Sequence, residues 1–186
     1  GDQIWEAGAQ LNLKRAVDRQ IWTSGAGIAF ALNNFVSNNV STLKAMLYAG
    51  SGTTPTDDEA SKLINFVRGQ DSYDENNDSQ TTDQRDWKLG DIYHSEMAIV
   101  GPPKAIDTEL AGDTNTEEYF KLQNGYQAFI DANASRETMV YVGANDGMLH
   151  AFKDSTGEEL WGFIPPNVLP KLRSMFSGVE HVTIPI

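Results

Sequence analysis

The clearest alternation of apolar and polar positions lies in residues 139–163 and predicts three short strands joined by two turns. The first strand, 139–142, is rich in residues of high β-propensity. Turns are predicted at 145–147 and 153–157, because Asn, Asp and Gly tolerate positive φ at little cost. The third strand carries Trp161, which is large enough to anchor the meander against a neighbouring sheet. Such a meander corresponds to a β-propeller blade that lacks one strand.

Apolar positions with a period near 3.6 residues predict three helical insertions. They lie near residues 33–48, 57–68 and 116–133. The second is the best defined, since 56–59 (TDDE) is a capping box and Gly69 follows its last residue. The third is predicted to start at Asn115 as N-cap and to pack an aromatic, half-buried face against the rest of the domain.

Weaker patterns predict further elements on either side of these segments. Strands are predicted at 19–23, 28–30 and 181–184, and residues 87–100 predict a strand pair or one long strand. The core candidates in that last segment are Ile92, Met97, Ile99 and Val100. Residues 168–176 predict a short helix interrupted near Pro170.

Several motifs in a fixed order resemble a known family. Residues 140–152 (VYVGANDGMLHAF) and 156–161 (TGEELW) resemble the blade repeat of quinoprotein-dehydrogenase-like propellers. Three further segments make the resemblance more specific: 162–172 (GFIPPNVLPKL), 89–95 (LGDIYHS) and 100–103 (VGPP). Together they resemble the propeller domain of the PilY/PilC group of type IV pilus tip-associated adhesins, and the resemblance covers roughly residues 87–172.

The expected fold is mainly β with inserted α-helices, an incomplete propeller of antiparallel meander blades. Residues 1–186 would form part of one propeller-like domain, because at about 40–45 residues per blade the chain holds at most about four blades. We expect the remainder of the propeller, or another polypeptide, to complete the sheet, with 181–184 as an open edge. The start at 1–6 lacks the basic and apolar regions of a signal peptide, so a mature or excised piece is expected.

Composition then limits the partners. The formal net charge is −12, which disfavours binding to nucleic acid or to an anionic membrane surface. The absence of cysteine excludes disulfides, cysteine–zinc sites and thiol nucleophiles. No apolar run approaches the roughly 20 residues that a membrane-spanning helix needs.

The acidic loop at 70–84 contains the weak calcium candidates Asp71, Asp74 and Asp78. Their spacing departs from the Asp-x-Asp-x-Asp-Gly pattern, so we expect a solvated, mobile loop that binds no calcium tightly. The tetrapeptide at 68–71 departs from an Arg-Gly-Asp motif by one inserted glutamine, and integrin binding is therefore not expected.

Candidate catalytic chemistry is sparse. The three histidines, His94, His150 and His181, are too scattered to predict a metal triad. His150 lies in a predicted strand and is interpreted as a hydrogen-bonded sheet residue, while Asp91 and His94 are interpreted as structural. The sequence thus predicts no catalytic, cofactor-binding or metal-ligating residue and no cofactor in this chain.

The resemblance implies a non-enzymatic, extracellular component of type IV pili, located at the pilus tip or the outer membrane. It would support pilus assembly and surface attachment, with minor pilins and a host or abiotic surface as partners. Calcium would be held, if at all, in another part of the protein. The alternative is a fragment of a quinoprotein dehydrogenase that binds pyrroloquinoline quinone, although the adjacent cysteines of some of those enzymes are impossible here.

Overall fold

The computed structural model describes residues 4–25 and 27–176. Five strands form one sheet in the order β1-β5-β4-β3-β2. The strands are Ile21–Thr23 (β1), Ala98–Val100 (β2), Met139–Gly143 (β3), Leu149–Lys153 (β4) and Glu159–Ile164 (β5). The α-helices are Ala7–Leu13 (α1), Val40–Leu47 (α2), Asp57–Arg68 (α3), Glu117–Gln123 (α4) and Tyr126–Ala132 (α5). The predicted strand at 181–184 lies outside the described residues.

The four strands β2 to β5 are antiparallel neighbours in sequence order. This arrangement confirms the predicted meander at 139–163 and adds the fourth strand that the pattern lacked. The added strand is β2, which reaches β3 only after the helical excursion that contains α4 and α5. Four antiparallel strands in sequence order are the strand arrangement of a propeller blade. The fifth strand, β1, pairs in parallel with β5.

Both predicted turns of the meander are present. Gly147 has φ 84° and Gly157 has φ 71°, left-handed values that L side chains rarely adopt. At Gly157 there is a second constraint, because a Cβ there would lie 2.6 Å from the indole ring of Trp5. The antiparallel pairing of β4 with β5 contains one register shift, between Ala151 and Phe152.

Helix α3 forms as predicted. The Thr56 hydroxyl oxygen accepts the Glu59 N–H at 3.2 Å, and a Glu59 carboxylate oxygen accepts the Thr56 N–H at 2.7 Å. Gly69 ends the helix in the left-handed region with φ 110°. The predicted apolar face of α3 is buried against α2, β1, β5 and the 3₁₀ turn Leu169–Phe176. That core contains Ile21, Phe35, Leu43, Leu47, Leu63, Ile64, Val67, Met148, Ile164, Val168, Leu169 and Leu172.

A second, smaller core lies at the other end of the sheet. It joins Leu11 of α1 and Leu89 to the inner side chains of β3 and β4. No element is predicted for the segment that contains α1, because its apolar positions fit neither the helical nor the strand period. Glu6 starts this helix by accepting the N–H groups of Gly8 and Ala9.

The other two predicted helical insertions differ from the structure. Only Val40–Leu47 of the segment 33–48 is α-helical, after the 3₁₀ turn Ser37–Asn39. The third insertion is two helices, separated by Gly125 at φ 68°, and its N-cap is Thr116 rather than Asn115. Neither helix buries a residue. The predicted packing of its aromatic face into a core is therefore wrong.

The weaker strand predictions are the least accurate. Within 87–100 only β2 is a strand, and it is an edge strand that pairs with β3 alone. The four core candidates are exposed, at 40% for Ile92, 65% for Met97, 66% for Ile99 and 41% for Val100. Residues 28–30 are not a strand, and the predicted strand at 19–23 is shortened to β1.

The balance of elements also corrects the expected fold class. Over the described ranges the α-helices contain more residues than the strands, so this is a mixed helix and sheet structure rather than a mainly β one. The longest helix there, α3, has 12 residues, and none has the length and apolarity needed to cross a membrane.

Candidate functional site

Four charged side chains meet on the side of the sheet that faces the helices. Arg19 precedes β1, Asp146 lies in the turn between β3 and β4, His150 is on β4, and Glu159 begins β5. None is more than 3% exposed. Because a buried charge is costly unless it is paired, such a cluster indicates a specific arrangement.

The four side chains form a continuous chain of charged hydrogen bonds. The Arg19 guanidinium donates from Nε and Nη2 to the two Glu159 oxygens, both at 2.8 Å. The His150 ring lies between the two carboxylates, with Nδ1 2.8 Å from Glu159 Oε1 and Nε2 3.0 Å from Asp146 Oδ2. Since ionised carboxylates only accept, both ring nitrogens must donate, and His150 is an imidazolium.

The pKa values follow from this geometry. Burial alone lowers the pKa of His150, but the negative charges and hydrogen bonds of Asp146 and Glu159 outweigh it and raise the pKa to about 9. For Glu159, burial raises the pKa, and Arg19 and His150 together hold it well below its usual value. Burial opposes ionisation of Asp146 in the same way, and the charge of His150 again lowers its pKa. All three groups are therefore charged at neutral pH.

Asp146 also fixes backbone groups around the turn. Its Oδ2 accepts the Gly90 N–H at 3.1 Å and its Oδ1 accepts the Met148 N–H at 3.0 Å. The Asn145 N–H donates to the Asp91 carbonyl at 2.9 Å, and a Cβ at Gly90 would collide with the backbone of Asp146. Residues 89–91 and the turn between β3 and β4 therefore contact each other directly.

A second arginine extends the network to α3. Arg68 Nη2 donates to the Arg19 carbonyl at 2.7 Å, and Arg19 Nη1 donates to the Arg68 carbonyl at 2.9 Å. Arg68 Nη1 bonds Asn33 Oδ1 and the Phe35 carbonyl, both at 2.9 Å. Burial and the nearby charge of Arg19 lower the pKa of Arg68 to about 10, so it stays charged at neutral pH. The C-terminal end of α3 is thereby joined to β1 and β5.

The chemistry that this network can perform is electrostatic anchoring. Its side chains are buried, and both nitrogens of His150 already donate to carboxylates, so a substrate would have no access to them in this conformation. The interpretation of His150 as a hydrogen-bonded sheet residue is confirmed. Its partners Asp146 and Glu159 were not predicted, because they reach His150 only when β4 pairs with β3 and β5; the signal available was a histidine between apolar neighbours on a strand.

The three weak calcium candidates each accept a hydrogen bond from a nearby backbone N–H. Asp71 accepts the Glu75 N–H at 2.8 Å, Asp74 accepts the Ser79 N–H at 3.0 Å, and Asp78 accepts the Gln80 N–H at 2.8 Å. In the part of the chain that the structure describes, no group of three or more His, Asp or Glu side chains is placed to hold a metal. These carboxylates instead stabilise turns.

The loop at 70–84 is more compact than a solvated segment. An isolated bridge pairs Gln70 with Gln84 at its base, and Asp71 is only 2% exposed. Its outer part, 75–82, is exposed as predicted.

The remaining candidates lie apart from the network. His94 is exposed, with its ring centroid 4.5 Å from that of Tyr93, and the Asp91 residue is exposed as well. His181 lies beyond the residues that the structure describes. Of the two histidines that the structure describes, only His150 lies in a cluster of ionisable groups.

The opposite side of the sheet carries aromatic side chains. We call Trp22, Phe30, Tyr141, Trp161 and Phe163 the aromatic face. Trp22 is at the centre, with ring centroids 4.3 Å from Phe163, 5.5 Å from Phe30 and 6.2 Å from Trp161. The ring centroids of Tyr141 and Trp161 are 5.8 Å apart. Ala151 on β4 pairs with Tyr141 on β3 and with Trp161 on β5, and it is fully buried.

The part of the chain that contains the meander and its contact motif matches a known family. Residues 89–174 match the family model of the PilY1 β-propeller domain. These residues belong to the PilY1 β-propeller family. The match includes four of the five strands and also Asp146, His150 and Glu159.

Whole-chain comparisons agree with this family. The chain is 31% identical over 182 residues to the type IV pilus biogenesis factor PilY1 of Pseudomonas aeruginosa strain UCBPP-PA14, which is 96% of this chain and 14% of that protein. It is 37% identical over 134 residues, 72% of this chain and 10% of the relative, to a PilY1 homolog of Xylella fastidiosa strain Temecula1. The chain thus spans a small part of these relatives. Among solved structures, none matches it significantly.

The match to the PilY1 family model begins downstream of strand β1 and of Arg19, both of which contact β5. Strand β1 and Arg19 lie before residue 89, yet β1 pairs with β5 and Arg19 binds Glu159. The structural unit therefore extends upstream of the residues that match the family model of the PilY1 β-propeller domain.

Proposed function

We propose that this chain is part of a type IV pilus biogenesis factor, in which β2 to β5 form one blade of an incomplete propeller. The observation that carries this proposal is the match of 89–174 to the PilY1 β-propeller domain. Identity to a relative of that name along 96% of the chain supports it, as does the order of the four antiparallel strands.

In the complete protein we assign this blade to a tip-associated adhesin of the pilus, exposed at the cell surface or held at the outer membrane. Its partners would be pilus components, the minor pilins among them, and the host or abiotic surface to which the pilus attaches. The resemblance of the motifs at 89–103 and 140–172 supports this finer assignment. A net charge of −12 suits a protein that contacts neither nucleic acid nor anionic lipid.

The role that we assign is structural and non-enzymatic. The one cluster of convergent ionisable groups described above is buried and internally paired, which suits a scaffold better than a catalyst. Titration with pyrroloquinoline quinone, followed by absorbance and dye-linked oxidation, tests this proposal. Quinone-dependent turnover would contradict it.

The pilus role is tested in the source bacterium by removing residues 89–164 in frame from the chromosomal copy. We expect fewer surface pili in sheared preparations and weaker surface attachment. An immunoblot establishes that the shortened protein is still produced. Normal pilus number and attachment at wild-type protein levels would contradict the proposal.

Assembly and adhesion can be separated in a strain whose pili cannot retract. If the blade serves assembly alone, blocking retraction restores both the pili and attachment. If it also serves adhesion, the pili return and attachment does not. A matched pair of point variants, Glu159→Ala in the buried network and Glu158→Ala at the exposed position just before β5, shows whether the phenotype requires the folded blade.

A further inference from the structure

The connection between β2 and β3 is much longer than the sheet requires. These two strands are antiparallel neighbours, and such strands are commonly joined by about two to five residues. Here residues 101–138 separate them, and we call this segment the helical excursion. It is folded, with α4, α5 and the 3₁₀ turn Leu110–Gly112. Since pairing of the strands does not need a folded segment of this length, the excursion is expected to have another role.

The helical excursion is held together by its own contacts. Helix α4 packs on α5 and on the 3₁₀ turn, and the Thr116 hydroxyl donates to the Leu110 carbonyl at 2.7 Å. At the base of the excursion, Arg136 Nε donates to the Gly101 carbonyl at 3.0 Å and so joins the two ends of the segment. The excursion is therefore an ordered projection beyond the strand pair.

Packing within the chain does not account for the stability of α4 and α5. Each has seven residues, and isolated helices shorter than about 12–15 residues are marginal in water. Neither buries a residue, and their large apolar side chains face water instead. The exposed fraction is 53% for Leu110, 57% for Phe120, 50% for Leu122 and 44% for Phe129. Apolar surface concentrated on a projection of this kind indicates an interaction site.

The charges around these apolar side chains are mostly negative. Residues 101–138 contain seven carboxylates and three basic side chains. Of the three, Lys121 is paired with Glu117 at 2.9 Å and with Glu118 at 2.7 Å, and Arg136 is bound at the base. The surface of the excursion is therefore apolar with a negative rim. A partner of complementary charge must be cationic.

We propose that the helical excursion is a docking surface for a separate protein that presents a cationic amphipathic helix, with Lys or Arg beside aliphatic side chains. A helix fits because α4 and α5 offer helical ridges and no open strand edge. Among the described residues, α1, α2 and α3 are already packed in the two cores, so none of them can cover the excursion. Such docking is a property of the excursion and does not depend on the pilus role.

Charge makes other occupants poorer. Nucleic acid and anionic lipid are repelled by the negative rim. A second copy of this chain, with its net charge of −12, is repelled for the same reason.

Cysteine footprinting of the full-length protein with a synthetic peptide tests the proposal, since this chain has no cysteine of its own. The peptide contains only Leu and Lys, is about 18 residues long and places Leu at the helical period. The probe is Gln123→Cys on α4, and its matched control is Gln80→Cys in the loop at 70–84, because both glutamines are exposed. Maleimide labelling is measured without and with the peptide, and the unmodified protein gives the background.

Without the peptide we expect the two variants to react at rates within about threefold of each other, because both positions face water. Saturating peptide should slow the labelling of Gln123→Cys by at least about tenfold and leave that of Gln80→Cys unchanged. Raising the salt to about 0.5 M should reverse the protection, since salt screens exposed charges. A peptide with Glu in place of every Lys should give no protection.

A second substitution in the Gln123→Cys protein tests the apolar part of the surface. Leu122→Ser should raise the peptide concentration needed for half protection by at least about fivefold, because it removes an exposed leucine from α4. Leu13→Ser, which replaces a leucine that is 78% exposed on α1, is the matched control and should leave this concentration unchanged. Equal effects of the two serine variants would contradict binding at the excursion.

Three other results would overturn the proposal. Slow labelling of Gln123→Cys before any peptide is added would show that the rest of the polypeptide or a second copy already covers α4, and sedimentation would separate these two cases. Equal protection of the two cysteine variants would show that the peptide adheres to the whole protein. Absence of protection, or equal protection by the Glu-containing peptide, would show that the surface does not select a cationic helix.

Discussion

The two faces of the sheet carry different kinds of side chain. The face toward the helices buries four charges, and each charge finds its partner within the chain. The aromatic face groups its rings and leaves Phe30 mostly exposed. Buried charges need partners at fixed positions, so they define the register of the blade, whereas rings tolerate many apolar neighbours and suit an interface.

The largest effect should come from removing the carboxylate at the centre of the network. Glu159→Ala leaves the Arg19 guanidinium and the His150 imidazolium buried beside an empty site, because Glu159 binds both. We expect a loss of about 3–5 kcal/mol in the free energy of unfolding, measured by urea denaturation.

The control for this change is Glu158→Ala, the neighbouring carboxylate with a half-exposed side chain paired to Lys153 and Lys14. It should cost less than about 1 kcal/mol. Equal losses from the two variants would show that the network does not hold the blade together.

The pH dependence of stability sharpens the comparison, since the buried titratable groups Asp146, His150 and Glu159 all lie on the face toward the helices. The pKa of His150 is about 9 in the folded chain against 6.5 in the unfolded one, so its contribution is complete below pH 6.5 and is lost as the pH rises toward 9. The full contribution is about 3 kcal/mol. Asp146 and Glu159 have lowered pKa values, so their contributions are lost at acid pH instead.

Stability should therefore be greatest between about pH 5 and 6.5 and should fall on both sides. Urea midpoints measured from pH 3 to 10 test this, with His150→Gln as the control variant. The variant should be less stable at pH 6 and should lose the decline between pH 6.5 and 9. A decline that persists unchanged in the variant would assign it to another group.

On the aromatic face a comparable deletion should cost less. Trp161→Ala removes the ring contacts with Trp22 and Tyr141 and uncovers Ala151, but the ring is only half-buried. We expect a loss of about 1–3 kcal/mol in the free energy of unfolding of this chain. The control Phe120→Ala, on α4 at 57% exposure, should change it by less than about 0.5 kcal/mol. A loss as large as that of Glu159→Ala would show that the aromatic face contributes as much to the stability of this chain as the charge network does.

The smallest effect concerns α3, which packs on the face that holds the network. Thr56→Ala removes the hydroxyl that accepts the Glu59 N–H, and should lower the free energy of unfolding by about 0.5–2 kcal/mol. Thr54→Ala, an exposed threonine before the helix, is the control and should have little effect. An unchanged thermal midpoint for Thr56→Ala would contradict the assignment of this capping box.

The predictions of burial that proved wrong rest on local patterns, which do not determine what packs against a side chain. Ile99 and Val100 have strand-forming side chains and do form β2, but their position at the sheet edge leaves them exposed rather than buried. Phe120 and Phe129 follow a helical period, yet α4 and α5 form an excursion with no core to enter. Periodicity records which side chains share a face, and burial depends on what is packed against that face.

The sequence by itself determined the elements whose causes are local. The meander follows from strand propensity and from glycines at positive φ, and α3 follows from its capping box and from Gly69. The tertiary structure alone decided that Arg19 meets Glu159, that β1 joins the sheet in parallel, and that Trp22 packs on Phe163. These contacts join residues more than a hundred positions apart, and their geometry exists only once the strands have paired, because no local preference of the backbone encodes it.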